Sequence, residues 1–252
     1  MNGNMLSSIS GSILHHLASL QILDLSRNRI ERVEAGSLDS NTRLRAVRLD
    51  SNRLSGIAGL FSRVPELTWL NISDNNIEAF DFSLVPLTLS WLDISHNVVE
   101  ALESFTDLRG SQISYLDASF NRLVKVDSSS FPAALETLLL NDNRISAIAP
   151  YTFFHLTKLV KADLSVNEIS SFTENSIRPS AEVLVTPAFN LGGNPIACDC
   201  HMQWFQAVNQ EAKLARYPHI TDLESIYCQL MDTQTCHHMS YTSMLNNVLP
   251  TA

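Results

Sequence analysis

The sequence predicts an α/β solenoid. Short parallel strands line a concave side, loops and short helical turns lie outside, and a cysteine-bearing cap closes the C-terminal end. Three observations carry this expectation. An eleven-residue pattern recurs in phase over residues 20–196, an asparagine stands at the same place in each copy, and all four cysteines gather in the last quarter of the chain.

The pattern is Leu-x-x-Leu-x-Leu-x-x-Asn-x-Leu, the leucine-rich-repeat template. LQILDLSRNRI fits it from Leu20 to Ile30, LRAVRLDSNRL from Leu44, LTWLNISDNNI from Leu67 and LSWLDISHNVV from Leu89. ISYLDASFNRL follows from Ile113, LETLLLNDNRI from Leu135 and LVKADLSVNEI from Leu159. An eighth, degenerate copy, TPAFNLGGNPI, runs from Thr186 to Ile196. The asparagines Asn28, Asn52, Asn75, Asn97, Asn121, Asn143, Asn167 and Asn194 are 24, 23, 22, 24, 22, 24 and 27 residues apart. Alternate side chains of a strand face one way, so template positions four and six, such as Leu23 and Leu25, point inward. Asparagine suits position nine because its amide donates and accepts at once where the chain turns over buried backbone. The return segment adds apolar anchors, as in Phe61-x-x-Val64-x-x-Leu67 and Phe153-x-x-Leu156-x-x-Leu159. No single copy can bury its own face, so stability comes from neighbours. The expected fold is a leucine-rich-repeat solenoid, a horseshoe.

The organisation follows. Residues 1–19 read as a truncated repeat: Asn4-x-Leu6 matches the end of a template whose strand is missing. Leu6, Ile9 and Leu14 are then expected at an open end. Residues 20–196 are the repeats, 197–236 the cap and 237–252 an unpatterned tail. In the cap a helix opening at Asp199 or Cys200 is expected, with Trp204, Phe205 and Val208 on the face toward the last repeat.

With charged residues at 17% and a net charge of −9, the chain has no reason to seek nucleic acid, whose phosphates reward lysine and arginine. No serine, histidine or aspartate falls in a catalytic motif, so an enzyme is not expected, and no cofactor is implied. The first twenty residues lack the basic start and contiguous apolar run of a signal peptide. No apolar stretch reaches the roughly 20 residues that cross a bilayer.

Two exposed strand positions form the concave face. Position three reads Ile22, Ala46, Trp69, Trp91, Tyr115, Thr137 and Lys161. Trp69, Trp91 and Tyr115, with Phe120 nearby, are either a recognition patch or a mutual stack that covers neighbouring backbone. Position five reads Asp24, Arg48, Asn71, Asp93, Asp117, Leu139 and Asp163, a solvated column. Arg45 and Arg48 share one patch that either steers an acidic partner or is simply solvated. Asn71-Ile-Ser73 is the only N-glycosylation sequon, and a glycan there would shield part of the aromatic patch.

Clustered in even number, Cys198, Cys200, Cys228 and Cys236 suggest a local disulfide framework in an oxidising compartment. With His201, His237 and His238 they could instead bind zinc, although short Cys-x-x-Cys knuckles are absent. LGGNPIACDCHMQWF and then YPHITDLESIYCQL resemble the cysteine cap of the long insect Toll-type receptors, the group that includes Tollo and 18-wheeler. The resemblance covers residues 1 to 230. It implies an extracellular segment of a membrane receptor in innate-immune or developmental signalling. It also implies a secreted, cytokine-like protein ligand and receptor homo- or heterodimers, the membrane being reached only through segments outside this chain. Carried over, the family's cap pairs Cys198 with Cys228 and Cys200 with Cys236. Only seven residues separate Cys228 from Cys236, fewer than the family has, so the first pair carries more weight. Two further readings fit the repeats: an adhesion protein without a signalling domain, and a cytosolic scaffold with free thiols and no glycan.

Overall fold

The computed structural model describes residues 1–103, 110–198, 202, 204–205, 208–209, 217–226 and 229–230. They fall into two units, Met1–Arg122 with Ser129–Leu135, and Leu123–Ser128 with Glu136 onward. In the first unit the strands Ile22–Asp24, Ala46–Arg48, Trp69–Asn71, Trp91–Asp93 and Tyr115–Asp117 pair in parallel. Their register aligns Ile22, Ala46, Trp69, Trp91 and Tyr115 in one row. In the second unit Thr137–Leu139, Lys161–Asp163, Ala188–Asn190 and His219–Ile220 pair in the same sense.

The alternation expected of the strands is present. The central residues Leu23, Val47, Leu70, Leu92 and Leu116 are buried, as are the position-six residues Leu25, Leu49, Ile72, Ile94 and Ala118. The repeat asparagines do the work their chemistry suits. Asn75 Nδ2 donates to the carbonyls of Leu49, Ile72 and Ser73 at 3.0, 3.1 and 3.0 Å, and its Oδ1 accepts from the Leu54 amide at 2.9 Å. One side chain thereby ties the buried turn of its own copy to the preceding copy.

The return segments are loops and short helical turns, with less helix than the expected α/β class implies. The only α-helix among the described residues is Gly11–Leu14, and the 3₁₀ turns include Phe82–Leu84, Glu174–Ser176 and Leu223–Ser225. The fold is a parallel-strand β-solenoid with little helix. The anchor spacing explains it: the amides of Leu60, Val64 and Leu67 donate to the carbonyls of Ile57, Phe61 and Val64. Consecutive i→i+3 turns bring every third residue to the same side, and they climb faster per residue than an α-helix would.

Residues 1–19 also correct an expectation. Ile9 and Leu14 are buried rather than open, because Ser8–Ile9 pairs with Arg32–Val33 in parallel. Leu6 is half-buried, and its amide donates to Asn28 Oδ1. The exposed large apolar side chains among residues 1–19 are Met1, Met5, Ile13 and Leu17.

The segment Tyr217–Ile226 closes the second unit. His219–Ile220 extends the Ala188–Asn190 strand, and the Asp222 carboxylate accepts from the amides of Leu191 and Gly192 at 2.9 and 2.7 Å. A Cβ on Gly192 would stand 2.8 Å from Asp222 Oδ2, so glycine is required for this contact. Asn209 brackets Ile220, accepting from its amide and donating to its carbonyl. Phe205 and Val208 are buried and Trp204 half-buried; Trp204 and Phe205 meet Phe172 edge-on. The remainder of the expected cap helix lies outside the described residues.

A candidate docking face on the parallel sheet

Strand alternation puts template positions three and five on the outward face, and the parallel register brings like positions of successive copies side by side. Trp69 and Trp91 stack with centroids 4.4 Å apart and planes 8° apart, and Tyr115 continues the stack at 5.1 Å and 8°. The strand spacing of about 4.8 Å is close to the centroid separation of offset-stacked rings, so one aromatic per copy yields an unbroken pile. All three remain partly accessible. Mutual stacking and an accessible aromatic surface therefore coexist.

Phe120 lies at the turn after the Tyr115 strand, 44% exposed. It stacks on His96, the corresponding residue of the preceding copy, at 4.2 Å and 8°. His96 was not singled out by the sequence, although its equivalence with Phe120 is legible in the template. Both residues have φ near +52°, the left-handed region, which aims their side chains together across successive turns.

The position-five column is more than a solvated row. Asp93 Oδ1 accepts from the Ser95 amide at 2.9 Å and from Ser95 Oγ at 2.7 Å. Asp24 with Ser26, Asn71 with Ser73 and Asp117 with Ser119 repeat the arrangement, as does Asp163 with Ser165 in the second unit. Each carboxylate or amide fastens the start of the turn two residues later. The signal was present as a recurring Asp-x-Ser, and a reading of exposure alone misses it. Asn71, half-buried, uses its Oδ1 in the same way, so the sequon residues also have a local structural task.

The environment separates these carboxylates. Burial opposes ionisation of Asp24, yet the Ser26 hydroxyl and amide, Asn2 and Arg48 hold its pKa below the ordinary value. At Asp93 burial dominates and the Asp117 charge adds to it, so its pKa is raised despite the Ser95 bonds. Burial and the same two carboxylates raise the Tyr115 phenol.

The arginines are locally engaged. Arg48 grips Asp50 with Nε and a terminal nitrogen at 3.0 and 3.1 Å and lies 4.0 Å from Asp24. That bond to Asp50 is the main reason its pKa is raised. Arg45 pairs with Glu66 at 3.3 Å in an exposed bridge, a contact of little energetic weight. Of the cap cysteines only the backbone of Cys198 is described, paired beside Leu230; Cys200, Cys228 and Cys236 lie outside the described residues, as do His201, His237 and His238.

A family description, leucine rich repeat, matches residues 1–54, 42–99 and 111–169. The chain belongs to the leucine-rich repeat family. This leucine-rich repeat chain is similar to Toll-like receptor 7 of Drosophila melanogaster, 36% identical over 182 residues, which is 71% of the chain and 12% of that relative. It thus spans a small part of the receptor's length. Among solved structures it resembles TLR13 in its complex with ssRNA13, at 26% identity and a TM-score of 0.67, over 77% of this chain and 28% of that one. It also resembles the LRIM1/APL1C complex, at 25% identity and a TM-score of 0.58, over 78% of this chain and 39% of that one. The leucine-rich repeat domain of APL1B shares the fold at 21% identity and a TM-score of 0.65, over 78% of this chain and 57% of that one. No helix among the described residues is long and apolar enough to cross a membrane.

Proposed function

We propose that the chain is a non-catalytic, protein-ligand recognition segment of a Toll-type receptor's extracellular part, of the Tollo and 18-wheeler group. In this reading it feeds innate-immune or developmental signalling from the outer side of the plasma membrane. The observation that carries the proposal is the accessible Trp69–Trp91–Tyr115 pile on a rigid sheet, in a chain 36% identical to part of a Toll-like receptor. Large aromatics held in place lose little side-chain entropy on binding and dominate interface energetics. The solved relative TLR13 carries single-stranded RNA. Here the half-buried Asp93 and Asp117 beside the rings would repel phosphates, so a protein ligand is the better fit.

Trp91→Ala in the complete receptor, displayed on cultured cells, tests the docking face. The expected result is normal surface display with loss of ligand-driven reporter output; an unchanged reporter overturns the proposal. A complete transcript separates a receptor from an adhesion protein, since only the former encodes a membrane span and a cytoplasmic signalling domain. Occupancy of the Asn71 sequon is read by intact mass of secreted protein with and without enzymatic deglycosylation. Docking over Trp69 expects Asn71 bare, because a glycan there would stand on the same face.

A further inference from the structure

Within this face the charges do not balance. Asp93 and Asp117 are register neighbours on adjacent strands, both half-buried. Among the described residues no lysine, arginine or histidine forms an ion pair with either. Arg45 and Arg48, the basic residues at the strand two copies before Asp93, are taken up by Glu66, Asp50 and Asp24. The hydroxyls and amides that bond these carboxylates, Ser95 and Ser73 at Asp93 and Ser119 at Asp117, are neutral and leave the like charges facing one another. Trp91 and Tyr115 flank the pair along the strands, and the His96–Phe120 stack lies at the turns beyond it. Apolar walls lower the local dielectric, which strengthens both this repulsion and the attraction of any cation that enters.

We propose that this stretch of sheet receives a basic side chain, arginine or lysine, carried on an apolar surface of a partner protein and seated over Asp93 and Asp117 beside Trp91 and Tyr115. The inference rests on the docking role of the ring pile and adds the chemistry of what docks there. The incoming cation removes the mutual repulsion of the two carboxylates, while the apolar neighbours of that side chain cover the ring edges. The carboxylates select for charge and the rings supply contact area, so a neutral apolar partner leaves the acid pair buried and unrelieved, and an acidic partner is rejected. The raised pKa of Asp93, caused by burial and by the Asp117 charge, is the free-state sign of the same imbalance.

The test uses the full chain and a displayed library of random dodecapeptides, selected on the wild type and counter-selected on Trp91→Ala. Recovered sequences should place arginine or lysine next to leucine, phenylalanine or tryptophan. Their synthetic copies should bind at least tenfold more weakly to Asp93→Gln/Asp117→Gln, and weaken with rising salt. Glutamine is chosen because asparagine would turn Asp93-Ile94-Ser95 and Asp117-Ala118-Ser119 into glycosylation sequons. Replacing each peptide arginine by citrulline, its neutral near-isostere, or lysine by acetyl-lysine, should cost the same tenfold without altering the protein, and so stands even if the double variant folds poorly. Peptides that need Trp91 but are neutral or acidic, and tolerate these exchanges, overturn the cationic inference and leave the docking face standing. If no peptide distinguishes wild type from Trp91→Ala, the docking face itself fails and the inference with it.

Discussion

The residue before each repeat asparagine bears unfavourable backbone geometry. Arg27, Ser51, Asp74, His96, Phe120, Asp142 and Val166 all have φ between 52° and 56°, a region L-residues avoid at a cost of roughly 1–2 kcal/mol. Nothing in their composition announces it, since the residue types differ throughout. Gly193, at the same place in the last copy, is the type such a position favours most, and the two aspartates and the histidine tolerate it better than the rest. Val166 is the least suitable occupant, β-branched and 51% exposed, so its side chain contributes little burial in return. Val166→Gly is expected to stabilise by roughly 0.5–1 kcal/mol after allowing for the freer unfolded chain, read as a higher urea midpoint. Asp93 permits a second test. Its folded pKa is raised, so the folded state binds its proton more tightly than the unfolded chain. The carboxylate's contribution is then most favourable at low pH and declines as pH rises from the ordinary value of 3.8 through the raised one. Asp93→Asn, which retains the serine bonds as Asn71 does, should gain on wild type over that window and hold the gain at neutral pH. Urea melts of bacterially made protein, free of glycans, check this; a gap that shrinks with rising pH contradicts it.

At the scale of the repeat, strand and turn were legible and the return was not. Leucine alternation and the asparagine offset both have direct physical meaning, and the parallel register follows from them. The i+3 spacing of Phe61, Val64 and Leu67 was also visible, but a spacing of three suits a helix face and a chain of tight turns alike. The hydrogen bonds decide between them. The asparagine ladder makes the sharper prediction. Asn97 donates to the carbonyls of Ile72, Ile94 and Ser95 and accepts from the Ile77 amide. Asn97→Ala leaves these buried groups unmet and should cost at least about 3 kcal/mol, given roughly 1–3 kcal/mol for each buried polar group left unpaired. Asn97→Asp, nearly the same shape, should cost more, because it sets an acceptor against carbonyls that need a donor. A urea midpoint for the aspartate variant at or above that of the alanine variant would mean that the amide's donors matter little.

At the scale of the whole molecule, the stacking of copies turns local choices into surfaces. The aromatic row was legible because position three could be read down the template. The uncompensated acid pair was not, since the engagement of Arg45 and Arg48 with Glu66, Asp50 and Asp24 depends on side-chain reach. In the cap, the Tyr217–Ile226 motif became intelligible only through Asp222 and its grip on the Gly192 turn. The cap also carries the redox prediction. Cys198 runs parallel to a strand that begins immediately after Cys228 in the sequence, at Gln229. A Cys198–Cys228 bond would close a loop of about 30 residues, worth roughly 3.6 kcal/mol in the chain-entropy treatment. Non-reducing peptide maps of secreted protein should show that bond, with Cys200–Cys236 as its companion. Free thiols together with retained stoichiometric zinc would favour metal ligation instead.

The serine-fastened turn has a consequence at the level of codons. Aspartate and asparagine codons differ by a single base, and the turn accepts either residue, as Asn71 and Asp93 show. Asp24, Asp93, Asp117 and Asp163 each precede a serine by two residues with no intervening proline. One transition at any of them therefore writes an oligosaccharide acceptor into the sheet's outward face while leaving the turn's bonds in place. In a chain that passes through a secretory pathway, single mutational steps would thus mask or unmask separate strips of the sheet's outward face while each turn keeps its fastening.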